Sequence, residues 1–90
     1  MTFQPLVMPQ ISINGTIKSD LVSQQLAVVG ALRLVSEAMT AAAPNGRDYQ
    51  HRPQEYQAAR DAWVERQASI IWLRRDLEKH AEAIDALPGK

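Results

Sequence analysis

Residues 43–53 read Ala43-Pro44-Asn45-Gly46-Arg47-Asp48-Tyr49-Gln50-His51-Arg52-Pro53, and this stretch decides the fold. Pro44 disfavours a helical residue before it, Asn45-Gly46 has the chemistry of a left-handed turn, and Pro53 suits a first helical position. The stretch closes one helix and opens another, leaving 44–52 as the connection.

Upstream of it, Ile17, Leu21, Val28, Leu32, Val35, Met39 and Ala42 recur at alternating spacings of three and four. Gln25 is the polar break in this seam, and Val22, Leu26 and Val29 widen it to one side. With Thr16 as the expected N-cap and Asp20 in the first turn, the pattern predicts a helix over 17–43. Downstream, Tyr56, Ala59, Trp63, Ile70, Leu73, Leu77, Ala81 and Ile84 form a stripe on a helix predicted over 53–87, which Pro88-Gly89 ends. A second, weaker apolar line (Val64, Ala68, Ile71, Trp72) is offset from it. At 1.5 Å per residue the helices measure roughly 40 and 52 Å, so the second overhangs the first by about 12 Å.

Residues 1–16 have another texture. Pro5 and Pro9 forbid a regular helix, Asn14-Gly15 marks a turn, and Phe3, Leu6, Val7, Met8, Ile11 and Ile13 are too apolar for a free tail. The expectation is an extended strap lying on a helix, with Ile11-Ser12-Ile13 too short to decide a strand. The fold class is therefore all-α: an extended arm (1–16) followed by a long antiparallel helical hairpin (17–87). A hairpin alone has no interior, and its second helix is apolar on two faces. Self-association into a helical bundle is expected, as a dimer or larger, through Trp63, Val64, Ile71 and Trp72, with the strap covering the overhang. A monomer closed by the strap alone is the alternative.

Composition narrows the function classes. Of 90 residues 41 are apolar, but 13 of those are alanine, which leaves 28 larger side chains for a core. Ten basic and ten acidic residues cancel, so the basic excess of a duplex nucleic-acid binder is missing. The absence of cysteine excludes a disulfide scaffold and thiolate metal sites. No apolar run approaches the length of a membrane span and no secretory leader precedes the arm, so a cytoplasmic protein without membrane attachment is expected.

The connection carries the richest chemistry. Arg47 and Arg52 are candidates for phosphate oxygens, Tyr49 for stacking on a base, and Asn45, Gly46 and Asp48 for polar selection. An architectural reading stands beside it: turn residues at Asn45-Gly46, Asp48 orienting Arg47 or capping the next helix, and Tyr49 plugging the bundle end. Asn14 and Thr16, flanking Gly15 before the first helix, form a second candidate anion site, against the plainer reading of an N-cap after a turn. His51 and His80 stand 29 positions apart, and Asp76–His80 is an ordinary pair on one helix face. Catalytic machinery, a metal site and a cofactor are not expected.

Two segments, Ile13-Asn14-Gly15-Thr16 followed by Lys18 to Leu21, and Pro44-Asn45-Gly46-Arg47-Asp48-Tyr49, resemble a pattern in short proteins of bacteriophages and prophages that carry no assigned activity. The likeness covers most of the chain beyond the arm, and implies a viral origin and a bacterial host cytoplasm. In size, helical hairpin and expected oligomer the chain also looks like the phage anti-CBASS sponge proteins, which sequester cyclic oligonucleotide signals without cleaving them. What this implies is a non-enzymatic protein that binds a small anionic ligand, a cyclic nucleotide immune signal foremost, at Asn45, Gly46, Arg47, Asp48, Tyr49, Arg52, Asn14 and Thr16. A protein-binding adaptor or inhibitor using an exposed helix face is the alternative, with a structural or assembly bundle as a third reading.

Overall fold

The computed structural model describes residues 3–89. Within them the chain forms helix α1 (Lys18–Ala41), a 3-10 turn (Gly46–Tyr49) and helix α2 (Pro53–Asp85), with no strand among the described residues. The two helices run antiparallel and are tied at both ends. At one end Lys18 Nζ donates to the Leu87 carbonyl at 3.0 Å. At the other, Trp63 Nε1 donates to the Met39 carbonyl at 2.8 Å. Each bond satisfies a carbonyl at a helix terminus, where the helix itself supplies no partner.

Both helices fall short of their expected ends. Thr16 is not the N-cap of α1; that position is Ile17, extended at φ −67° and ψ 149°, without a side-chain cap. The Ile17 carbonyl instead takes two backbone bonds, from Asp20 and Leu21 at 3.1 Å each. At the far end Ala42 N–H donates to Ala38 and Ala43 N–H to Thr40, tightening the last turn before Pro44. Neither Asn45 nor Gly46 is left-handed. Asn45 is extended, and its side chain caps the 3-10 turn by accepting from Arg47 N–H. The left-handed residue is His51, at φ 64°.

The stripe expected on α2 faces α1 as read: Trp63, Ile70 and Leu77 are half-buried, and Ala81 and Ile84 are buried. The seam expected on α1 is turned. Leu21, Leu32 and Met39 of the expected seam are partly covered, as are Gln25 and Ser36, and Val29 on its flank is buried, whereas Ile17, Val28 and Val35 of the seam are exposed. Between Leu21 and Leu32 the sequence holds no charged residue, so apolar periodicity does not single out one face there. The large side chains of α2 select the face instead.

The arm is a strap along α2. Phe3 meets Trp72 edge-on with ring centroids 4.5 Å apart, and Ile11 lies against Gly89. Eight extended residues span about 25 Å at about 3.1 Å each, enough to run beside the thirteen positions from Trp72 to Asp85, about 20 Å at 1.5 Å each, and on to Gly89. Phe3 meets Trp72 and Ile11 meets Gly89, so the strap runs parallel to α2 and antiparallel to α1. Ala81 and Ile84 fall inside that span, where the strap adds a third layer. The strap does not cover the overhang. Pairing Met39 with Trp63 sets Ala41, the end of α1, beside Asp61 and leaves residues 53–60 projecting past α1, and there the connection folds back, bringing Tyr49 against Tyr56. Ile11–Ile13 forms no strand; Ser12 and Gly15 close a turn at 3.2 Å, and Ile13 is fully exposed.

The result is a thin slab of 64 × 22 × 16 Å. Its radius of gyration is 18.6 Å, against about 12 Å for a compact chain of this length.

Candidate functional site

The connection between the helices folds mostly onto itself. The Asn45 side chain accepts from Arg47 N–H at 2.9 Å and donates to Asp48 Oδ2 at 3.2 Å, so both of its polar ends are engaged. Asp48 therefore serves neither Arg47 nor the next helix. Gly46 is not a forced glycine: a Cβ there would meet nothing within 4 Å, and its φ is ordinary. Tyr49 is half-buried against Tyr56, with ring centroids 5.9 Å apart and planes tilted by 39°. The Arg52 guanidinium lies 6.0 Å from the centre of the Tyr49 ring, and it forms an ion pair with Glu55. Arg52, a candidate for phosphate oxygens, is thus compensated by a carboxylate of its own chain. Glu55 and Tyr56 were not among the sequence candidates. For Glu55 the signal was present: Pro53 opens the helix, and Glu55 stands three positions after Arg52, the spacing of an ion pair.

Arg47 differs from its neighbours. Its side chain is exposed, and among the described residues no carboxylate pairs with it. The cluster is a tyrosine pair roofed by one compensated arginine, with a second, free arginine at its edge.

Asn14 and Thr16 do not join it. They stand exposed beside Ile17, at the other end of a 24-residue helix, which puts about 36 Å between the two candidate segments of one chain. The expected association residues separate as well. Trp63 is turned inward and bonded to Met39 within its own chain. Trp72 is 43% exposed on α2, one edge occupied by Phe3. Val64 and Ile71 remain open, lining a shallow groove with Ala68 and Gln67 of α2 and Ser36 and Thr40 of α1. Among the described residues no three His, Asp or Glu side chains gather as a metal site, and no helix is long and apolar enough to cross a membrane.

A second exposed apolar surface lies on the outer side of α1, and it includes Val28 and Val35 of the expected seam. Leu34 is 66% exposed, Val28 46% and Val35 42%, and they share one side of the helix with Ala27, Ala31 and Ala38. The two helices differ sharply here. The outer side of α2 carries Asp61, Glu65, Arg75, Lys79 and Glu82, whereas that of α1 carries no charge between Asp20 and its end except Glu37 at the margin. Comparisons with family models, with curated proteins and with solved structures find no match to this chain.

Proposed function

We propose that this chain is a non-enzymatic helical-hairpin protein that works by assembly, burying its open apolar faces against other protein and first of all against its own copies. One observation carries the reading. The chain exposes 6969 Å² at a mass of 10.0 kDa, while a folded monomer of that mass exposes about 5,200 Å². The excess, about 1,700 Å² per chain, exceeds the roughly 800 Å² that each partner buries in a standard interface and falls in the range of obligate dimers. Among the described residues, burial of three, Val29, Ala81 and Ile84, is a small core for a helical pair of this length. Multi-angle light scattering at micromolar concentration tests it, with a mass of two chains or more expected. A monomer at all concentrations would sink the reading.

A second reading has an observation of its own. Arg47, uncompensated and exposed beside the Tyr49–Arg52 stack, supports capture of a small phosphate-bearing ligand at the connection. The phage-type pattern of Ile13–Thr16 and Pro44–Tyr49 supports a phage protein of the host cytoplasm, and a cyclic oligonucleotide as that ligand. The check is a thermal-shift screen against cyclic di- and trinucleotides, since a ligand that binds only the folded state raises the melting temperature. A flat screen removes this reading and leaves the assembly reading in place.

A further inference from the structure

The outer side of α1 is an apolar band in which the small Ala27, Ala31 and Ala38 lie among the exposed Val28, Leu34 and Val35. At 3.6 residues per turn, positions 24, 27, 28, 31, 34, 35 and 38 share one side of a helix, with 31 on its midline. Reversing the order about Ala31 exchanges Ala27 with Val35, Val28 with Leu34, and Gln24 with Ala38. A two-fold axis at Ala31 would set each residue n positions before it against the partner's residue n positions after it. The pairs also fit by size: alanine meets alanine at the axis, and Ala27 faces a β-branched valine.

From this we infer that a second copy of this chain packs antiparallel on α1, with the two-fold axis at Ala31. The inference rests on the assembly reading above and names its interface. Three features favour this side over the groove between α1 and α2. It holds the most exposed helical leucine, Leu34. It is uncharged, whereas the groove runs into the Arg33–Glu78–Arg74 charge cluster, with nitrogen–oxygen separations of 3.7 Å. It is also far from the strap, which occupies Trp72 on α2. Antiparallel α1 helices set opposite dipole ends side by side, which adds attraction.

The register has a consequence for the two separated segments. Pairing about Ala31 sets Leu21, in the first turn of one α1, opposite the partner's Ala41, the last residue of the other. The turn at Asn14–Thr16 of one chain then lies toward the same end of the dimer as the connection at 44–52 of the other. Segments about 36 Å apart in one chain come to share an end of the pair.

The chain has no cysteine, so each introduced thiol is unique. Ala31→Cys should form an intermolecular disulfide on mild oxidation, because its symmetry mate lies across the axis within the Cα separation a disulfide spans. Ala38→Cys is displaced from its own mate by fourteen helical positions, about 21 Å, and should crosslink at least about tenfold less. Ala68→Cys reports the groove in the same way. Leu34→Glu should weaken association at least about 100-fold, since every substitution counts twice in a two-fold interface, with helicity followed by circular dichroism. If Leu34→Glu unfolds the chain, the cysteine pattern decides alone. An oligomeric wild type in which Ala68→Cys or Ala38→Cys crosslinks as readily as Ala31→Cys overturns this interface and leaves the assembly reading standing. A monomeric wild type overturns both.

Discussion

The indole of Trp63 closes the last turn of α1: its Nε1 donates to the Met39 carbonyl at 2.8 Å, across the hairpin. That carbonyl lies in the final turn, where an α-helix has no N–H of its own to offer. A residue that periodicity marks only as apolar is thus also the polar clasp between the helices. Trp63→Phe keeps the ring and removes the donor, and should lower unfolding stability by about 1 kcal/mol. Trp63→Ala also opens a cavity and should cost about 3 kcal/mol. Urea titrations of the two variants check the ordering, and a phenylalanine variant as damaging as alanine would refute the clasp.

The strap predicts a spectroscopic change. Phe3 stands edge-on to Trp72 at 4.5 Å, an arrangement worth about 0.5–1.5 kcal/mol beyond the area it buries. In a Trp63→Phe background, where Trp72 is the remaining indole, Phe3→Ala should shift its emission to the red and lower stability by about 1 kcal/mol. Unchanged emission would mean that the strap is not seated on Trp72.

Within the connection, cap and motif separate cleanly. Asn45→Ala removes the acceptor for Arg47 N–H and the donor to Asp48, and should cost about 1 kcal/mol. Gly46→Ala should be neutral or stabilising by up to about 1 kcal/mol, because its backbone is ordinary and its Cβ would sit in open space. Arg47→Ala should stay within about 0.5 kcal/mol of wild type. Melting temperatures of the three variants test this, and a severe loss for Gly46→Ala would show a close neighbour at that position.

His51 holds a left-handed backbone at φ 64° without being glycine. Glycine takes that conformation without the Cβ clash, so His51→Gly should raise stability by up to about 1 kcal/mol even after its greater unfolded-state freedom. His51→Val should lower it, since β-branched side chains tolerate positive φ least. Equilibrium unfolding of the pair reads the sign directly.

The parts legible in the chain were those with local causes. Pro44 and Pro53 bound the connection because proline acts on its immediate neighbours. The stripe from Tyr56 to Ile84 is covered as periodicity implied, and the proline-broken apolar arm does lie on a helix. The turned face of α1 was not legible, because a helix apolar on most sides has no preferred side until a partner supplies one. The pairing of Arg52 with Glu55 was open to sequence reasoning, since Pro53 starts the helix between them and sets them three positions apart.

Helix, connection and strap therefore follow from chain order: proline, spacing and apolarity act over a few residues and need no distant contact. Three other properties required the packed chain. The Met39–Trp63 bond fixes the helical register, and with it the end that overhangs. The left-handed residue of the connection is His51, while Asn45 is extended and engaged as a cap. The outer side of α1 is left open because α2 covers just one side of it and the strap follows α2. Each is set by which distant surfaces come into contact, and a one-dimensional pattern of apolar residues does not encode that choice.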